Sequence, residues 1–355
     1  MSIGVALLGI THPHTSGRAE IFSRLPDVEL IGAFDRDAVI EPFCEHMGLP
    51  TREPDDLIND PAVQIVLVHA QTEEMTEYCT AALKAGKSVL VEKPCGTGPE
   101  DIKKLIEAEK ASSAVFQAGF NFRFSPIVDM MKKVVEGGII GDITQVRAHG
   151  GCALGEHKTP MLNREQDIGG AFFVIGCHVV DILLHVLGAP KEVAATVAKF
   201  PKISDHTSRE DSVAACLVYE NCLASIDFAA QDPLENVESW DFFFNGTEGV
   251  LYGNLLPGRY KLFLKRPFGG YPAGWSTWLG TQFPVPWSGE PTEFSPDIPA
   301  VANQDFFDRE AAQFMAAFRG ETPSPISASH AHLVARTIDT CYRSSDDGGC
   351  RTPLL

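Results

Sequence analysis

Residues 82–94 read Ala-Leu-Lys-Ala-Gly-Lys-Ser-Val-Leu-Val-Glu-Lys-Pro, which is the end of a helix, a glycine stop, a short apolar strand and a charged turn. A glycine commonly ends a helix, and a short uninterrupted apolar run is typical of a strand that is buried on both faces. Similar apolar runs lie upstream, separated from one another by helical stretches, at residues 4–8, 29–34 and 64–68. This alternation predicts a parallel sheet with helices on both sides.

The sheet continues along the chain, because a helical stretch at residues 99–110 leads into another apolar run at residues 114–120. We therefore predict that residues 1–122 form a doubly wound α/β domain of the Rossmann type, which binds dinucleotides. Beyond it, extended segments follow one another at hairpin-like spacing, at residues 143–150, 191–200, 212–219, 222–229 and 239–245. They predict a second, α+β domain over residues 123–355 with a large, mostly antiparallel sheet.

The rest of the second domain contains one irregular stretch and two helices. Residues 266–299 are rich in Pro, Gly and Trp and follow neither helical nor strand periodicity, so we predict a long loop there. Residues 305–319 and 329–344 have helical apolar spacing, and the latter helix could pack back on the first domain.

Length, charge and cysteine usage narrow the class of protein. A chain of 355 residues exceeds the size at which one core keeps growing, and its net charge of -18 would repel a phosphate backbone, so we expect no nucleic acid partner. Nine cysteines without a C-x-x-C pair favour free thiols in a reducing cytosol. The start leads directly into a strand without a secretory signal, and no apolar run is long enough for a bilayer. We therefore expect a cytoplasmic protein without membrane contact.

The turn after the first strand has the position of a phosphate-binding turn. In dinucleotide-binding folds it brings backbone N–H groups and a helix N-terminus to the pyrophosphate, which is why glycines dominate there. Gly9 matches that pattern, whereas Thr11 and His14 stand where the second and third glycines would be. An ordinary strand-to-helix connection is the alternative. The cofactor contacts that we predict in this turn are Gly9, Ile10, Thr11, His12, His14 and Thr15.

Asp35 and Arg36 follow the second strand, where a dinucleotide's adenosine ribose binds. The Asp35 carboxylate could accept hydrogen bonds from both ribose hydroxyls and would repel a 2′-phosphate, which favours NAD over NADP. The alternative is that Asp35 only caps a helix. Arg36 could stack on adenine or neutralise a 2′-phosphate, so the use of NADP stays open.

The run 82–94 is similar to the signature of the Gfo/Idh/MocA oxidoreductases, the family of glucose-fructose oxidoreductase and inositol 2-dehydrogenase. Further segments resemble this family in the same order, at residues 119–126, 141–143, 169–170, 176–178, 245–249 and 342–344. The resemblance covers nearly the whole chain. It implies hydride transfer between NAD(P) and a secondary alcohol or its ketone, usually on a sugar, cyclitol or related polyol.

The resemblance also implies two catalytic roles. Lys93 is the lysine that lies between nicotinamide and substrate, where a cation stabilises a developing alkoxide, and the Lys93–Pro94 bond is expected to be cis. Outside this motif such a lysine would be a solvated cap. His178 matches the histidine that exchanges the proton of the substrate hydroxyl, a role that suits imidazole near neutral pH. The alternative is a buried histidine bonded to the backbone.

The sequence departs from the family at several positions near these residues. Val174 stands where dehydrogenases of the family carry an aspartate, one helical turn before His178. Asp181, three residues after His178, is a candidate substitute that would orient the imidazole. Ala70-Gln71-Thr72 replaces the family's Thr-Pro-Asn, and Met75 replaces a histidine. Beyond the first turn and the second strand end, the cofactor contacts that we predict are Ala70, Gln71, Glu92, Lys93 and Asn121.

Three features allow two interpretations each. Arg123 binds substrate or ties the two domains together, and Trp275 with Trp278 forms a stacking wall for a sugar or an oligomer contact. His12 and His14 face a ligand or belong to a rigid turn with solvated imidazoles. We predict no metal, because spacing provides no third ligand. The predicted catalytic residues are Lys93, His178 and Asp181, and the predicted substrate contacts are Lys93, Arg123, His178 and Trp275.

Taken together, these patterns predict an NAD(H)-preferring dehydrogenase or reductase of carbohydrate-like polyols. We expect the open face of the second domain's sheet to join another subunit in a homodimer or homotetramer. Two other functions occur on the same fold, namely redox-neutral cleavage of a glycosidic bond with bound NAD, and non-catalytic sugar or nucleotide binding by a regulator. Val174 leaves the regulator open, whereas Lys93 and His178 count against it.

Overall fold

The computed structural model of the chain describes residues 2–153, 159–200, 207, 209–232, 238–279 and 298–354. Its contacts divide the chain into two compact units. The first unit contains Met1–Phe120, Gln166–Ile168 and Phe307–Ala335. The second unit contains Asn121–Glu165, Gly169–Phe306 and Arg336–Leu355.

The first unit is built on a parallel sheet. Its strands are β1 (Ile3–Leu8), β2 (Val28–Phe34), β3 (Val63–Val68), β4 (Ser88–Glu92) and β5 (Phe116–Gly119). They lie in the order β2-β1-β3-β4-β5, and each pairs in parallel with its neighbours. Every residue of β4 is buried, as expected for a strand that is covered on both faces. The predicted doubly wound sheet is confirmed.

Helices connect these strands and place the turn that follows β1. They are α1 (Thr15–Ser23), α2 (Ile40–Met47), α3 (Pro54–Ile58), α4 (Thr72–Lys84) and α5 (Pro99–Ala111). The chain order of the strands reverses between β1 and β3. In doubly wound sheets, ligands bind outside the carboxyl ends of the strands at such a switch point.

Two long helices near the carboxyl end are α9 (Ile298–Phe318) and α10 (Ala328–Asp346). The second half of α9 packs on the first unit, where Phe307, Phe314 and Met315 join the core with β1 and α1 residues. The start of α10 also belongs to the first unit, whereas residues from Arg336 onward belong to the second. Thus α9 makes the packing that the sequence suggested for the last helix alone, because its apolar face carries the larger aromatic side chains.

The second unit contains a nine-stranded sheet and three shorter helices, α6 (Pro126–Glu136), α7 (Thr159–Leu162) and α8 (Cys177–Leu187). Its strands are β6 (Ile143–Gly151), β7 (Glu192–Ala198), β8 (Ser212–Val218), β9 (Leu223–Ala229), β10 (Trp240–Gly246), β11 (Gly249–Asn254), β12 (Arg259–Leu264), β13 (Gly274–Leu279) and β14 (Thr352–Pro353). They lie in the order β13-β12-β11-β10-β6-β9-β8-β7-β14. The β6–β9 pair is parallel and the others are antiparallel, so the predicted mostly antiparallel sheet is confirmed.

Strands β11, β12 and β14 were not predicted from the sequence, and the loop predicted over residues 266–299 is wrong where β13 lies. Trp275 and Trp278 of β13 pair with Phe263 and Tyr260 of β12, so cross-strand aromatic contacts stabilise a hairpin whose Gly- and Pro-rich surroundings obscured it. Residues 280–297 of the predicted loop lie outside the described residues.

Two sequence expectations concern covalent and membrane features. None of the nine cysteines, all of which are described, forms a disulfide, so the expected absence of a disulfide framework is confirmed. Within the described part of the chain, no helix combines the length and apolar character that a bilayer span requires.

Candidate active site

The turn after β1 lies against the residues that follow β3. Gly9 has φ +84°, and a Cβ on it would lie 2.2 Å from the backbone nitrogen of Ala70. Glycine is therefore required by the backbone conformation and by the space available. Two of the predicted cofactor contacts, Gly9 and Ala70, are thus brought together at the switch point.

Asp35 is hydrogen-bonded to the backbone of the same turn. Its Oδ2 accepts hydrogen bonds from the N–H groups of Ile10 at 2.6 Å and Thr11 at 3.3 Å, and its Oδ1 accepts one from Asp37 at 2.8 Å. Asp35 does not cap the next helix, which begins after Val39, so that alternative is wrong. Because each carboxylate oxygen can accept more than one hydrogen bond, a ribose hydroxyl could still donate to Asp35.

The N-terminus of α1 follows this turn and fits an anion. Its first turn contains no acidic residue, so no side chain there offsets the partial positive charge of the helix end. The Thr15 hydroxyl is buried and has no hydrogen-bond partner among the described residues. A buried, unsatisfied donor beside a helix N-terminus fits the oxygens of a pyrophosphate.

Arg18, one helical turn after His14, is the centre of a buried ionic network that the sequence analysis missed. Its Nε and Nη2 donate to the Glu310 carboxylate at 2.7 and 3.1 Å, and its Nη1 pairs with Glu92 Oε2. Nη1 also lies 3.1 Å from His69 Nε2, and Nη2 lies 3.3 Å from the Gly119 carbonyl oxygen. The Arg18 guanidinium therefore connects α1 to the ends of β4 and β5, to His69 after β3 and to α9.

The charges in this network are coupled. Although burial alone would raise the pKa of Glu92, the charges of Arg18 and the nearby histidines outweigh it and hold that pKa well below its usual value. Burial raises the pKa of Glu310, and Arg18 opposes the rise. Arg18 thus keeps Glu92 ionised in a site from which water is excluded.

His12 and His14 turn their rings inward to the same carboxylate. His14 Nδ1 lies 3.1 Å from Glu92 Oε2, and His12 Nδ1 lies 3.9 Å from it while accepting a hydrogen bond from the His14 N–H at 3.2 Å. Burial lowers the pKa of both imidazoles, and the charge of Glu92 opposes that fall. The two imidazoles are not fully solvated as expected, because the His12 side chain is 9% exposed, that of His14 is 22% exposed, and His14 also packs against Phe307.

His12, His14 and Glu92 together have the composition of a metal-binding triad, with donor atoms within 4.8 Å of one another. Spacing could not supply Glu92 as the third member, because it lies 78 residues beyond His14. Two cations already balance this carboxylate, since Arg18 pairs with Oε2 and Lys93 Nζ lies 3.9 Å from Oε1. We therefore interpret the cluster as an electrostatic support for the turn.

Lys93 follows Glu92 at the carboxyl end of β4. The Lys93–Pro94 peptide bond is cis, as the resemblance implied. Its side chain is 4% exposed, and its backbone N–H donates to Glu92 Oε1 at 3.1 Å. The alternative of a solvated cap is wrong, since the ammonium is held inside the unit next to the ionised Glu92.

Arg36 and Gln71 lie at the edge of the same region. Arg36 is exposed, and its Nε lies 3.0 Å from Glu74 Oε1 on α4. Gln71 precedes α4 and is half-buried. Met75, which replaces the family histidine, is buried in α4.

In the second unit, His178 lies in the first turn of α8, directly after a π-helical turn over Phe172–Gly176 that contains the buried Val174. Its ring stacks on Phe122 at 4.5 Å and contacts Trp240 edge-on at 6.0 Å. The wider π turn changes which preceding residue lies below His178, so a spacing of four no longer defines one regular helical turn.

Asp181 and Arg123 form a buried ion pair within the second unit. Arg123 Nε donates to Asp181 Oδ2 at 3.1 Å, and Nη2 pairs with Oδ1. This bidentate pair joins α8 to the 3₁₀ turn Asn121–Phe124. The structure therefore gives Asp181 a partner that the sequence analysis did not foresee, although both residues were singled out.

Asn121 begins that 3₁₀ turn. Its side chain is fully buried, and neither its amide nitrogen nor its amide oxygen has a hydrogen-bond partner among the described residues. Because buried amides are almost always satisfied, the Asn121 amide could accept and donate hydrogen bonds to a ligand.

Trp275 lies on a different face of the sheet from His178. Cross-strand pairing places Trp275 in one row with Phe263, Val250, Asn245 and Gln145. His178 contacts Trp240, which shares the other face with the buried Phe242 and Phe244. This placement argues against Trp275 as a substrate contact near His178 and favours the oligomer alternative.

Four polar residues of the first unit were not singled out from the sequence. Arg18, His69 and Glu310 belong to the buried ionic network, and Glu74 pairs with Arg36. The sequence contained only a weak indication that Arg18 belongs to the site, namely that a residue four positions after His14 lies on the same helix face. Glu310 had none, since nothing in a helix 292 residues away identifies its partner.

A doubly wound sheet with a glycine turn, a helix N-terminus and a strand-end carboxylate at its switch point defines a dinucleotide-binding protein. More particularly, the chain belongs to the GFO/IDH/MocA family. The model described as the oxidoreductase family, NAD-binding Rossmann fold, matches residues 3–120, and the model of the GFO/IDH/MocA C-terminal domain matches residues 128–252.

Individual relatives agree with this assignment. The "uncharacterized oxidoreductase YhhX" of Escherichia coli K12 is 27% identical over 232 residues, which cover 61% of this chain and 64% of that protein. The myo-inositol 2-dehydrogenase of Thermotoga maritima is 29% identical over 193 residues, which cover 54% and 55%. The chain thus matches little more than half the length of these curated relatives.

One solved structure of similar fold is an oxidoreductase from Agrobacterium radiobacter in complex with NAD+, L-tartaric acid and magnesium. It has a TM-score of 0.83, 15% sequence identity and a coverage of 100% of this chain and 99% of that one. At this identity the likeness supports the fold alone.

Proposed function

We propose that this protein is an NAD(H)-preferring dehydrogenase or reductase. It would transfer hydride between the nicotinamide cofactor and a secondary hydroxyl or ketone of a sugar, cyclitol or related polyol. The observation that carries the proposal is Lys93, a buried ammonium at the carboxyl end of β4, in the unit whose Gly9 turn fits a pyrophosphate. The substrate class rests on the family and on its inositol-oxidising member in Thermotoga maritima.

The cofactor contacts follow from the first unit. The backbone of residues 9–15 and the Thr15 hydroxyl would hold the phosphates, and Asp35 would accept hydrogen bonds from the adenosine ribose. Ala70, Gln71 and the region of Glu92 would border the nicotinamide half, with Glu92 acting through the residues that it holds rather than by direct contact. Asn121 would bind a carboxamide through its unsatisfied amide.

The bound cofactor supplies the hydride acceptor or donor, and the chain's own residues handle charge and proton. The Lys93 ammonium would stabilise the negative charge that develops on the substrate oxygen. His178 would take the hydroxyl proton in oxidation and return it in reduction. Asp181 and Arg123 would hold the first turn of α8, and so the His178 ring, in place. Arg123 as a direct substrate contact remains a prediction.

The test is a panel assay of the purified chain. Absorbance of the reduced cofactor would be followed with NAD or NADP and a set of sugars, glycosides, cyclitols and polyhydroxy acids. We expect NAD to be reduced with at least one member, and His178→Gln to lower kcat by about 10²–10⁴, the usual contribution of a general base. His46→Gln, an exposed histidine of α2, is the matched control. Aglycone release without net reduction of NAD would contradict the proposal and identify redox-neutral cleavage instead.

We also propose that the exposed face of the nine-stranded sheet joins a second copy of the chain. Leu223 and Trp275 are 49% and 62% exposed on this face, and Arg147 covers the Phe243 ring at 4.6 Å. Large exposed apolar side chains among polar ones on one sheet face are typical of a subunit contact.

Trp275→Asp should therefore weaken assembly, because a carboxylate would be buried in the apolar contact. Light scattering after size exclusion should give a smaller mass for this variant than for the wild-type chain at the same concentration. Val39→Asp, an exposed apolar position of the first unit, should leave the mass unchanged. An equal mass for Trp275→Asp and wild type would contradict the assignment of this face.

A further inference from the structure

Arg36 is the first cation after β2, next to the carboxylate that would meet the adenosine ribose. Its guanidinium Nε lies 3.0 Å from Glu74 Oε1, and the arginine side chain is 75% exposed while that of Glu74 is 19% exposed. The arginine is therefore the more exposed partner, and the carboxylate that it contacts belongs to α4. An isolated exposed ion pair contributes little to folding stability. We therefore consider what the Arg36–Glu74 pair does to the binding of a ligand at the end of β2.

Helix α4 offers Arg36 a second partner. Tyr78 lies one turn after Glu74, so both side chains project from the same face of the helix. Burial raises the pKa of Tyr78, and the nearby Arg36 opposes the rise. The contact with Glu74 at 3.0 Å thus directs the Arg36 side chain toward α4.

Glu74 also lies close enough to Asp35 for their charges to interact. Burial raises the pKa of Glu74, the charge of Arg36 lowers it, and the charge of Asp35 raises it further. Asp35 itself is held by the N–H groups of Ile10 and Thr11. Because Glu74 pairs with Arg36, the residue that follows Asp35, the Glu74 carboxylate also lies near the end of β2.

We propose that Glu74 is a second determinant of cofactor selectivity, which pairs with Arg36 and adds a carboxylate beside Asp35, so that a 2′-phosphate is disfavoured. The inference rests on the proposed NAD(P) function and deepens it. A 2′-phosphorylated adenosine would meet two negative charges, and the cation that could neutralise it is already paired. Cofactor selectivity would then come from repulsion of NADP by Glu74 as well as from the contacts of Asp35 with NAD. A ribose with a free 2′-hydroxyl meets no such repulsion.

The experiment measures binding, so it needs no substrate. Calorimetric titration of the purified full chain with 5′-AMP and with adenosine 2′,5′-bisphosphate, and with NAD and NADP, gives the ratio of dissociation constants for each pair. We expect wild type to favour the ligands without the 2′-phosphate, and Glu74→Gln to shift both ratios about tenfold toward the 2′-phosphorylated ligand, the scale of one close charge contact. Glutamine keeps the shape of the side chain and removes its charge.

Glu77→Gln is the matched control, because it removes the same charge from an exposed position of the same helix. It should shift neither ratio. The double variant Glu74→Gln/Arg36→Ala separates the two effects, and we expect it to lose most of the gain, since the released arginine is removed. Full retention of the gain in the double variant would overturn the role assigned to Arg36.

Binding of NAD by Glu74→Gln with unchanged ratios, or an equal shift in Glu77→Gln, would overturn the inference and leave the proposed function standing. A wild-type chain that binds neither NAD nor NADP would overturn the proposed function and this inference with it.

Discussion

Replacing Lys93 with methionine is expected to lower kcat by about 10²–10³, the loss seen when one preorganised oxyanion-stabilising group is removed. Methionine keeps the apolar stem and removes the ammonium, so the developing alkoxide would lose its nearest cation. The substrate that the panel assay identifies would be used, with kcat and KM measured separately. The loss should fall mainly on kcat, because the charge to be stabilised appears in the transition state.

Lys84→Met is the matched control for this prediction, because it removes an exposed ammonium at the end of α4. It should retain full activity. Lys93→Met should still fold, since Arg18 continues to pair with Glu92 after the ammonium is gone, and NAD binding by the variant would verify this. If a folded, NAD-binding Lys93→Met retained kcat within tenfold of wild type, the role assigned to Lys93 would be wrong.

The second large effect is expected in stability. Arg18→Met should lower the free energy of unfolding of the first unit by about 3–5 kcal/mol, because the buried carboxylates of Glu92 and Glu310 would lose their common counter-ion. Denaturant titration, followed by a probe in the first unit, measures the change. Arg24→Met removes a guanidinium that is 63% exposed at the end of the same helix, and it should cost under about 1 kcal/mol.

A double variant tests the cause of this loss. Arg18→Met/Glu310→Gln removes one of the two carboxylates that Arg18→Met leaves unpaired, so it should be more stable than Arg18→Met alone. If Glu310→Gln instead adds its own full cost to that of Arg18→Met, the two residues do not act as a charge pair and the network has been misassigned.

The fold was largely predictable because its signals are local. Continuous apolar runs define β1, β3 and β4, and glycines such as Gly9, Gly48 and Gly86 mark places where the chain turns. The strands that were missed, β11 to β13, lack such runs, and their pairing depends on contacts between side chains of different strands. Patterning within one segment cannot reveal that kind of support.

The candidate site divides in a similar way. Gly9, Asp35, Lys93 and His178 could be singled out because each occupies a fixed offset from a strand or helix end in a known pattern. Their surroundings could not be inferred in this way. Asp181 was singled out as a candidate to orient His178, but its ion pair with Arg123 could not be inferred from spacing. Trp275 was considered for the substrate, yet strand register places it on the face opposite His178.

The sequence by itself determined the two kinds of sheet, the dinucleotide turn and the family, because these depend on periodicity and on residue types at short spacing. Only the tertiary structure decided the electrostatics of the site. Arg18 meets Glu92 and Glu310 across 74 and 292 residues, and Arg36 meets Glu74 across two strand ends. The pairing of these charged side chains depends on their burial and on their distances in the folded chain. The spacing of residues along the sequence gives neither.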